Sequence, residues 1–373
     1  MNARNVVNTS PTGGQTTPRL SLHLDPGLPI ADTVARARRA EAVGVDAVYG
    51  IEAVRDVFVP MTAIAAATSR IGLGTYVANA YARTPQAAAT AALNLDELSG
   101  GRFTFGLGAG NRHLNDWFYG VDSSRPMQKM RDYLTIVGAL LGGRMPDGPE
   151  VGGDIHAMQT RFVRKPSRPV PILLAAAGPR MIELAATATD GVGLGILISA
   201  EHLAHDIRPR AAAAAAAAGR DPHHLRFPMA ALVNVDDDAE QARMLTRRAI
   251  CGLFHPVPHP YYDFLVREQG YANVADAASA LAPQQRWEEA MDTIDDGLVD
   301  RLTITGTSEH CAARLEAYAG VADEIICLNL GTGLGRRSGE ANDDNLFRMF
   351  SLAQQRRAGR APDQDETRSA MRT

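Results

Sequence analysis

The sequence predicts an α/β fold in which eight parallel strands form a (β/α)8 barrel with insertion regions. Short apolar segments alternate with amphipathic segments of helical periodicity, a pattern typical of βαβ units and a parallel sheet. Eight such strands can be counted in the sequence, and this number favours a closed barrel over an open sheet. The 373 residues exceed the roughly 250 residues of an ordinary barrel. We therefore expect extra segments around one barrel.

The predicted strands are short apolar runs separated by helical segments. They are Arg19–Leu24, Val45–Tyr49, Ile71–Val77, Arg102–Leu107, Val170–Ala175, Val192–Ile198, Phe227–Val235 and Glu324–Leu330. The helices predicted between the first seven strands, including one before the predicted hairpin, are Ile30–Val43, Val59–Thr68, Pro85–Leu98, Pro126–Leu141, Pro179–Thr189 and Glu201–Ala218. The third of these helices is closed by Ser99-Gly100-Gly101, a typical helix stop.

The remaining length predicts the domain organisation. Residues 1–18 form a polar leader without an apolar signal core, residues 19–357 a single barrel domain, and residues 358–373 a disordered tail. Two insertions are expected within the domain. The first, near 143–169, is punctuated by Gly and Pro and predicts a small hairpin. The second, near 239–319, lies between the seventh and eighth strands, and its four helical segments predict a lid: Ala239–Gly252, Tyr261–Glu268, Gln285–Ile294 and Ser308–Ala319. A last helix is predicted near Asp344–Gln355.

Composition excludes several classes of function. Lys and Arg total 38 against 42 Asp and Glu, giving a net charge of −4, without the basic surplus of a nucleic-acid-binding protein. No apolar run approaches the roughly 20 residues that cross a bilayer. Three cysteines without a CxxC motif favour free thiols in a reducing cytoplasm and give no metal site. We predict a cytoplasmic protein without a membrane, nucleic-acid or metal partner.

Candidate binding residues follow from the rule that a barrel binds its ligands at the carboxyl ends of its strands. The turn Ala175–Arg180 leads from a strand into a helix with Pro179 at its first position. Small residues let a ligand approach the backbone, and the free amides of a helix start attract an anion such as phosphate. Arg180 could add a charge-assisted contact. The alternative is an ordinary strand-to-helix turn.

A second glycine-containing strand end is Gly106-Leu107-Gly108-Ala109-Gly110. A dinucleotide-binding fingerprint is not favoured, because the run closes the fourth strand and Asn111 follows where Gly or Ala is expected. These glycines would instead let a flat ring or a phosphate lie against bare backbone.

Two residues are candidate proton carriers. Glu52 ends an apolar strand and could act as a general acid or base if burial raises its pKa. It could equally form an ion pair with an arginine such as the nearby Arg55. His23, near the end of the first strand, could also carry a proton.

Several of these motifs occur together in one known family. From about Arg19 to Gly331, this chain resembles the luciferase-like monooxygenase superfamily. It is most similar to the branch that uses the deazaflavin coenzyme F420, which includes methylenetetrahydromethanopterin reductase. The segments that carry the resemblance are Glu52…Arg55-Asp56, Thr68–Thr75, Asn79–Pro85, Leu95–Phe103, Gly106–Gly110, Ala176–Met181, Ala188–Gly191 and Gly306–Cys311.

The resemblance implies where a cofactor binds. Its ring would lie across the barrel mouth and its phosphate tail near Gly178-Pro179, with a non-prolyl cis peptide at Tyr76-Val77 behind the ring. Tyr76 departs from the small residue usual there. The cofactor-binding residues implied are Tyr76, Val77, Asn79, Gly108, Ala109, Gly110, Ala176, Ala177, Gly178, Pro179, Arg180 and Met181. The His and Glu that perform acid-base work in some relatives are not matched, since Gly50 to Glu52 and Asn111 stand in those places.

The function predicted first is an F420-dependent oxidoreductase that transfers a hydride between the deazaflavin and a small organic substrate, at a CH–OH, C=C or C=N group. One alternative is a two-component monooxygenase that uses reduced FMN and O2 and needs a flavin reductase as its partner. Another is a flavin- or deazaflavin-binding protein without turnover. In each case we predict a homodimer.

Overall fold

The chain folds around a parallel sheet flanked by helices. The computed structural model describes residues 17–53, 55–143, 150–159, 166–254, 259, 261–329 and 340–359. Most of the predicted leader and tail lie outside these described residues.

Twelve strands are present in the described part of the chain, and ten of them form one sheet. Their bounds are β1 Arg19–His23, β2 Ala47–Gly50, β3 Gly72–Thr75, β4 Ala78–Asn79, β5 Phe103–Gly108, β6 Glu150–Gly152, β7 Ala157–Gln159, β8 Ile172–Ala175, β9 Gly191–Gly193, β10 Pro228–Val235, β11 Ile304–Gly306 and β12 Glu324–Asn329. Strands β6 and β7 form a separate antiparallel hairpin, which confirms the hairpin predicted in the first insertion.

The order of strands in the large sheet is β11-β10-β12-β1-β2-β3-β5-β8-β9, with β4 beside β5. Neighbouring strands run parallel, as in the pairs Ser21 with Ala47 and Leu22 with Cys327. The sheet curls, because β9 at one end is hydrogen-bonded to the segment leading into β10. The amide of Val192 donates to the carbonyl of Arg226 at 2.9 Å.

Helices alternate with the strands up to β10, and five helices then follow one another before β11. Their bounds are α1 Ile30–Ala42, α2 Phe58–Ala67, α3 Pro85–Leu98, α4 Pro126–Gly142, α5 Pro179–Ala188, α6 Ala200–His202, α7 Arg208–Ala217, α8 Ala239–Leu253, α9 Tyr262–Glu268, α10 Ala272–Leu281, α11 Trp287–Met291, α12 Asp296–Leu302, α13 Ser308–Arg314 and α14 Glu340–Ala358. No helix in the described residues is long and apolar enough to cross a bilayer.

Helix α3 shows how local sequence fixes an element. The Thr84 side chain accepts a hydrogen bond from the amide of Ala87 at 3.3 Å, and Pro85 occupies the first helical position. Beyond the helix, Gly100 and Gly101 have φ angles of 65° and 88°, a conformation that glycine adopts without steric cost. These signals are all local, and the observed bounds are those the sequence predicts.

The second half of the sheet departs from prediction in several places. Strand β11 pairs with β10 inside the segment 239–319, where only helices are predicted, because three residues are too short to show a strand pattern. Helices α10 and α12 also lie outside the predicted helical segments. Strand β9 ends at Gly193, although the apolar run predicts a strand to Ile198, because the backbone leaves the extended conformation and Leu197 has a φ of 63°. The helix predicted over Glu201–Ala218 is interrupted by a π-helical turn at Leu203–Ile207. This turn precedes Pro209, which has no N–H to donate to the preceding turn.

A buried carboxylate lies at the amino ends of the strands. Glu324 is fully buried and accepts hydrogen bonds from Ser21 at 2.5 Å, from Arg226 at 2.9 Å and from the Tyr49 hydroxyl at 3.3 Å. The guanidinium of Arg19 lies 3.9 Å away. We call these five residues the base cluster. Because each carboxylate oxygen has a partner, the desolvated charge is compensated.

Candidate active site at the carboxyl ends of the strands

The residues predicted to bind a cofactor follow neighbouring strands and share one edge of the sheet. Parallel strands place all their carboxyl ends on the same side. We call this edge the mouth and define it by His23, Glu52, residues 76–79, residues 108–110 and residues 175–181. Hydrogen bonds link the first four of these groups, as described below. The fifth, at the end of β8, is joined to β9 because the amide of Ala176 donates to the carbonyl of Gly193 at 2.8 Å.

The peptide bond between Tyr76 and Val77 is cis, as the family resemblance implies. The Tyr76 ring is buried beneath the mouth and packs edge-on against Tyr49, with 5.7 Å between ring centres. Its hydroxyl lies 2.7 Å from the carbonyl oxygen of Leu194 and 3.0 Å from that of Pro228. The large side chain therefore fills the interior and leaves the mouth free.

His23 contacts this cis peptide directly. Its Nε2 lies 3.2 Å from the carbonyl oxygen of Tyr76, which can only accept, so Nε2 carries the proton and Nδ1 has a free lone pair. Within the described residues, the buried Nδ1 has no hydrogen-bond partner. Burial lowers the pKa of His23 from 6.5 to about 4. The imidazole is thus neutral at physiological pH and offers one acceptor.

Glu52 is held on both of its oxygens. One oxygen forms an ion pair with Arg83, and the other accepts a hydrogen bond from the amide of Asn79 at 2.8 Å. Arg83 also contacts Asp56 at 3.0 Å. Burial raises the pKa of Glu52, while the Asn79 amide and Arg83 oppose that rise. The ion-pair alternative for Glu52 is therefore the one observed, although with Arg83 instead of Arg55.

The glycines after β5 are needed for packing between loops. A Cβ at Gly108 would come within 2.7 Å of a Val77 methyl group, and one at Gly110, where φ is 65°, within 2.6 Å of the Asn79 amide nitrogen. These positions bring the loop against the cis-peptide segment. At these two positions the lack of a side chain is thus required by close contact with protein atoms.

Asn115 is a site residue that sequence analysis missed. It is buried in the π-helical turn Leu114–Phe118. Its carbonyl oxygen accepts from the Asn79 side chain at 2.8 Å, and its amide nitrogen donates to the Ala109 carbonyl, also at 2.8 Å. The side chain joins two loops of the mouth. No motif marks it in the sequence, because its partners are distant along the chain or are backbone atoms.

The start of α5 is open. No atom lies within 4 Å of the position where a Gly178 Cβ would stand, and no side chain caps the helix. In the described part of the chain, the amides of Ala177 and Gly178 have no hydrogen-bond acceptor. Arg180 is exposed there and forms no ion pair with the described residues. Free amides and the helix dipole make this end suited to an anion.

Chemically, the mouth combines three features. It has an open, positively polarised helix start, a neutral imidazole with one free acceptor, and a carboxylate already neutralised by arginine. Such an arrangement can hold a ligand with an anionic tail.

The chain is similar to several known proteins. The family model for luciferase-like monooxygenases matches residues 10–324. A relative from Methanolobus tindarius, named 5,10-methylenetetrahydromethanopterin reductase, is 29% identical over 297 residues, which cover 78% of this chain and 87% of the relative.

Two solved structures share the fold. The coenzyme F420 dependent tetrahydromethanopterin reductase of Methanopyrus kandleri superposes with a TM-score of 0.73 at 19% identity, covering 90% of this chain and 97% of that one. The oxygenating constituent of 3,6-diketocamphane monooxygenase from Pseudomonas putida, solved with FMN, gives a TM-score of 0.61 at 17% identity, covering 90% of this chain and 96% of that one.

Proposed function

The chain belongs to the luciferase-like monooxygenase family, and from this premise we propose that it is an F420-dependent oxidoreductase. It would transfer a hydride between the deazaflavin and a small organic substrate. The observation that carries the proposal is the open, uncapped start of α5 at the carboxyl end of β8. The Methanopyrus kandleri structure, named as a coenzyme F420 dependent reductase, supports F420 as the cofactor.

We also infer that the curved sheet is a complete (β/α)8 barrel. Besides the Val192 bond, the amide of Leu194 donates to the carbonyl of Pro228 at 2.9 Å, so β9 and the start of β10 are paired. Strands β12 and β1 pair on the other side. The Tyr76 hydroxyl lies between Leu194 and Pro228 and supports the same closure.

The residues of the mouth fit the cofactor. The amides of Ala177 and Gly178 and the Arg180 side chain would hold its phosphate, with Pro179 fixing the helix start. Residues on the ring side would be Tyr76 through its backbone, Val77, Asn79, Gly108, Ala109 and Gly110, and on the tail side also Ala176 and Met181. When bound, the deazaflavin supplies the hydride acceptor or donor.

Of the two proton carriers proposed from the sequence, the geometry favours His23. Its Nδ1 has no partner among the described atoms and would accept a hydrogen bond that orients a substrate hydroxyl. The low pKa keeps this nitrogen unprotonated before the substrate arrives. Glu52, bonded on both oxygens, would instead hold Arg83 and Asn79 in place as a positioning residue.

The second candidate function is an FMN-dependent monooxygenase with a separate flavin reductase. The shared fold of the FMN-containing Pseudomonas putida structure favours keeping it. A phosphate site at α5 would serve either cofactor. The two proposals therefore differ in which ring, deazaflavin or flavin, binds at the mouth.

Cofactor binding separates these proposals. Purified full-length protein is titrated with F420 and with FMN, and quenching of cofactor fluorescence gives each Kd. We expect tighter binding of F420. Tighter FMN binding would overturn the F420 proposal in favour of the monooxygenase, and failure to bind either cofactor would overturn both. An anaerobic turnover screen with reduced F420 would then identify the substrate group.

The homodimer, the cytoplasmic location and the single domain over 19–357 stay predictions.

A further inference from the structure

A cavity lies beside the mouth, against the start of α4. Its volume is about 230 Å3, and we call it the rim cavity. The amide of Tyr81, which lines it, donates to the Asn79 side chain at 2.9 Å, so the cavity adjoins the candidate site. Its lining residues are Tyr81, Val121, Asp122, Arg125, Lys129 and Ile155.

Lys129 is buried in this lining without a counter-charge. Only 9% of it is exposed, and within the described residues its ammonium forms no ion pair or hydrogen bond. Its nitrogen lies 4.9 Å from the ring centre of Tyr81 and 5.9 Å from that of Tyr133. Burial lowers the pKa of Lys129. Buried charges in proteins are ordinarily paired. Among the described residues, however, this ammonium contacts two aromatic rings and no carboxylate.

Tyr81 presents a second unsatisfied group. Its hydroxyl is buried and has no hydrogen-bond partner within the described residues. Buried tyrosine hydroxyls usually find a partner. Lys129 and Tyr81 thus line one cavity, and each carries a donor group without a hydrogen-bond partner among the described residues.

The residues that line the cavity carry a net positive charge, and the nearby carboxylate of Asp132 is bonded to the amide of Ile155 at 2.7 Å. Arg125 and Lys129 oppose one carboxylate, that of Asp122, which accepts a hydrogen bond from the amide of Ser124 at 2.9 Å. Helix α4 begins at Pro126, so the positive end of its dipole points to the same place.

We propose that the rim cavity is an anion site that binds a carboxylate or phosphate group. The Tyr81 hydroxyl and the Lys129 ammonium would donate to the anion, and Arg125 would add a charge at the entrance. The anionic group could belong to the organic substrate or to the acidic tail of the cofactor. The identity of that source rests on the proposed function, whereas the existence of the site does not.

Inorganic phosphate is the probe for the site itself. Its binding to the full-length protein is measured by isothermal titration calorimetry in the wild type and in Tyr81→Phe, Lys129→Met and Arg131→Gln. Arg131 is exposed on the same helix and is the matched control for loss of one positive charge. We expect about a tenfold weaker phosphate Kd for Lys129→Met and a smaller loss for Tyr81→Phe, with Arg131→Gln unchanged. Tyr81→Phe only removes an unpartnered hydroxyl, so it should fold even if Lys129→Met does not.

The result overturns the proposal if phosphate affinity is the same in wild type, Tyr81→Phe and Lys129→Met. The Lys129 ammonium would then be stabilised by its two aromatic rings without an anion. Phosphate bound at the start of α5 does not confuse the outcome, because that binding persists in all four proteins.

F420 titrations of the same variants identify the source. Unchanged F420 affinity in Lys129→Met, with weaker phosphate binding, assigns the cavity to the anionic group of the substrate, whereas parallel loss assigns it to the cofactor tail. If the wild type binds phosphate through Lys129 but does not bind F420, the proposed function fails and the anion site stands.

Discussion

The two ends of the sheet each hold a buried and paired glutamate, but they differ in the groups that surround it. At the amino ends, Glu324 is surrounded by donors, and the whole base cluster satisfies itself. At the carboxyl ends, Glu52 is also paired, but it stands among groups that are not, namely the Nδ1 of His23 and the open amides of α5. The base is complete without a ligand and the mouth is not.

This difference indicates that one end of the sheet contributes mainly to stability and the other mainly to ligand binding. A fully bonded buried network contributes to stability and specifies one packing. Unsatisfied buried polar atoms cost free energy, of the order of 1–3 kcal/mol each, and are retained where a ligand can satisfy them. Substitutions at the base should therefore lower stability without changing cofactor affinity, and substitutions at the mouth the reverse.

The largest effect is expected at the base. Glu324→Ala should lower the free energy of unfolding by about 3–5 kcal/mol, because it leaves Arg226 and the buried hydroxyls of Ser21 and Tyr49 without their acceptor. Urea denaturation measures the loss. The control is Glu309→Ala, which breaks an exposed pair with Arg348 and should cost under about 1 kcal/mol. Equal losses in the two variants would contradict the distinction.

The next effect is a pH dependence that originates at the mouth. In the unfolded chain His23 binds a proton below pH 6.5, but in the folded protein only below about 4, so stability falls as pH drops through this interval. The loss attributable to His23 is about 3 kcal/mol. His23→Gln keeps an amide that can donate to the Tyr76 carbonyl and should remove this loss.

Urea denaturation at pH 7 and at pH 4 compares the two proteins. The control His223→Gln changes an exposed histidine and should keep the wild-type difference. If the loss persists in His23→Gln, the imidazole is not held neutral as described.

Tyr76→Phe tests the connection between the two ends. The variant removes the hydroxyl that lies near the carbonyls of Leu194 and Pro228, and stability should fall by about 2 kcal/mol. Cofactor affinity should be retained, because the ring lies below the mouth. Tyr261→Phe, at a residue that is 39% exposed, is the control in thermal and urea unfolding. A loss of cofactor affinity larger than the loss of stability would show that the hydroxyl serves the site.

The smallest effect in free energy, and the most specific one, is expected at α5. Gly178→Val places a side chain where no protein atom lies within 4 Å, at a φ of −94° that valine accepts. Folding should be unchanged, and F420 affinity should fall about tenfold or about 1.4 kcal/mol, since the side chain covers the free amides. Gly138→Val, at an equally open helical position in α4, controls for the substitution. Unchanged F420 fluorescence quenching by Gly178→Val would place the phosphate elsewhere.

Some of the site could be predicted because its signals are local. Pro179 and the small residues before it mark an open helix start, and that start is observed. Partners could not be predicted in this way. Glu52 pairs with Arg83, which is 31 positions away, and not with Arg55, because strand pairing and not chain distance decides which side chains meet. Gly108 and Gly110 show the same limit, since sequence marks a need for glycine but not the neighbour that imposes it.

The sequence by itself determined the alternation of strands and helices, the bounds of α3 and the presence of the hairpin. Periodicity, capping residues and turn glycines act within a few residues, so these features are local. Only the tertiary structure decided that the Tyr76 ring points inward, that His23 is neutral with one free nitrogen, and that Lys129 is buried without a carboxylate. Those properties depend on burial and on atoms brought together from distant strands, and they determine which groups of the chain remain available to a ligand.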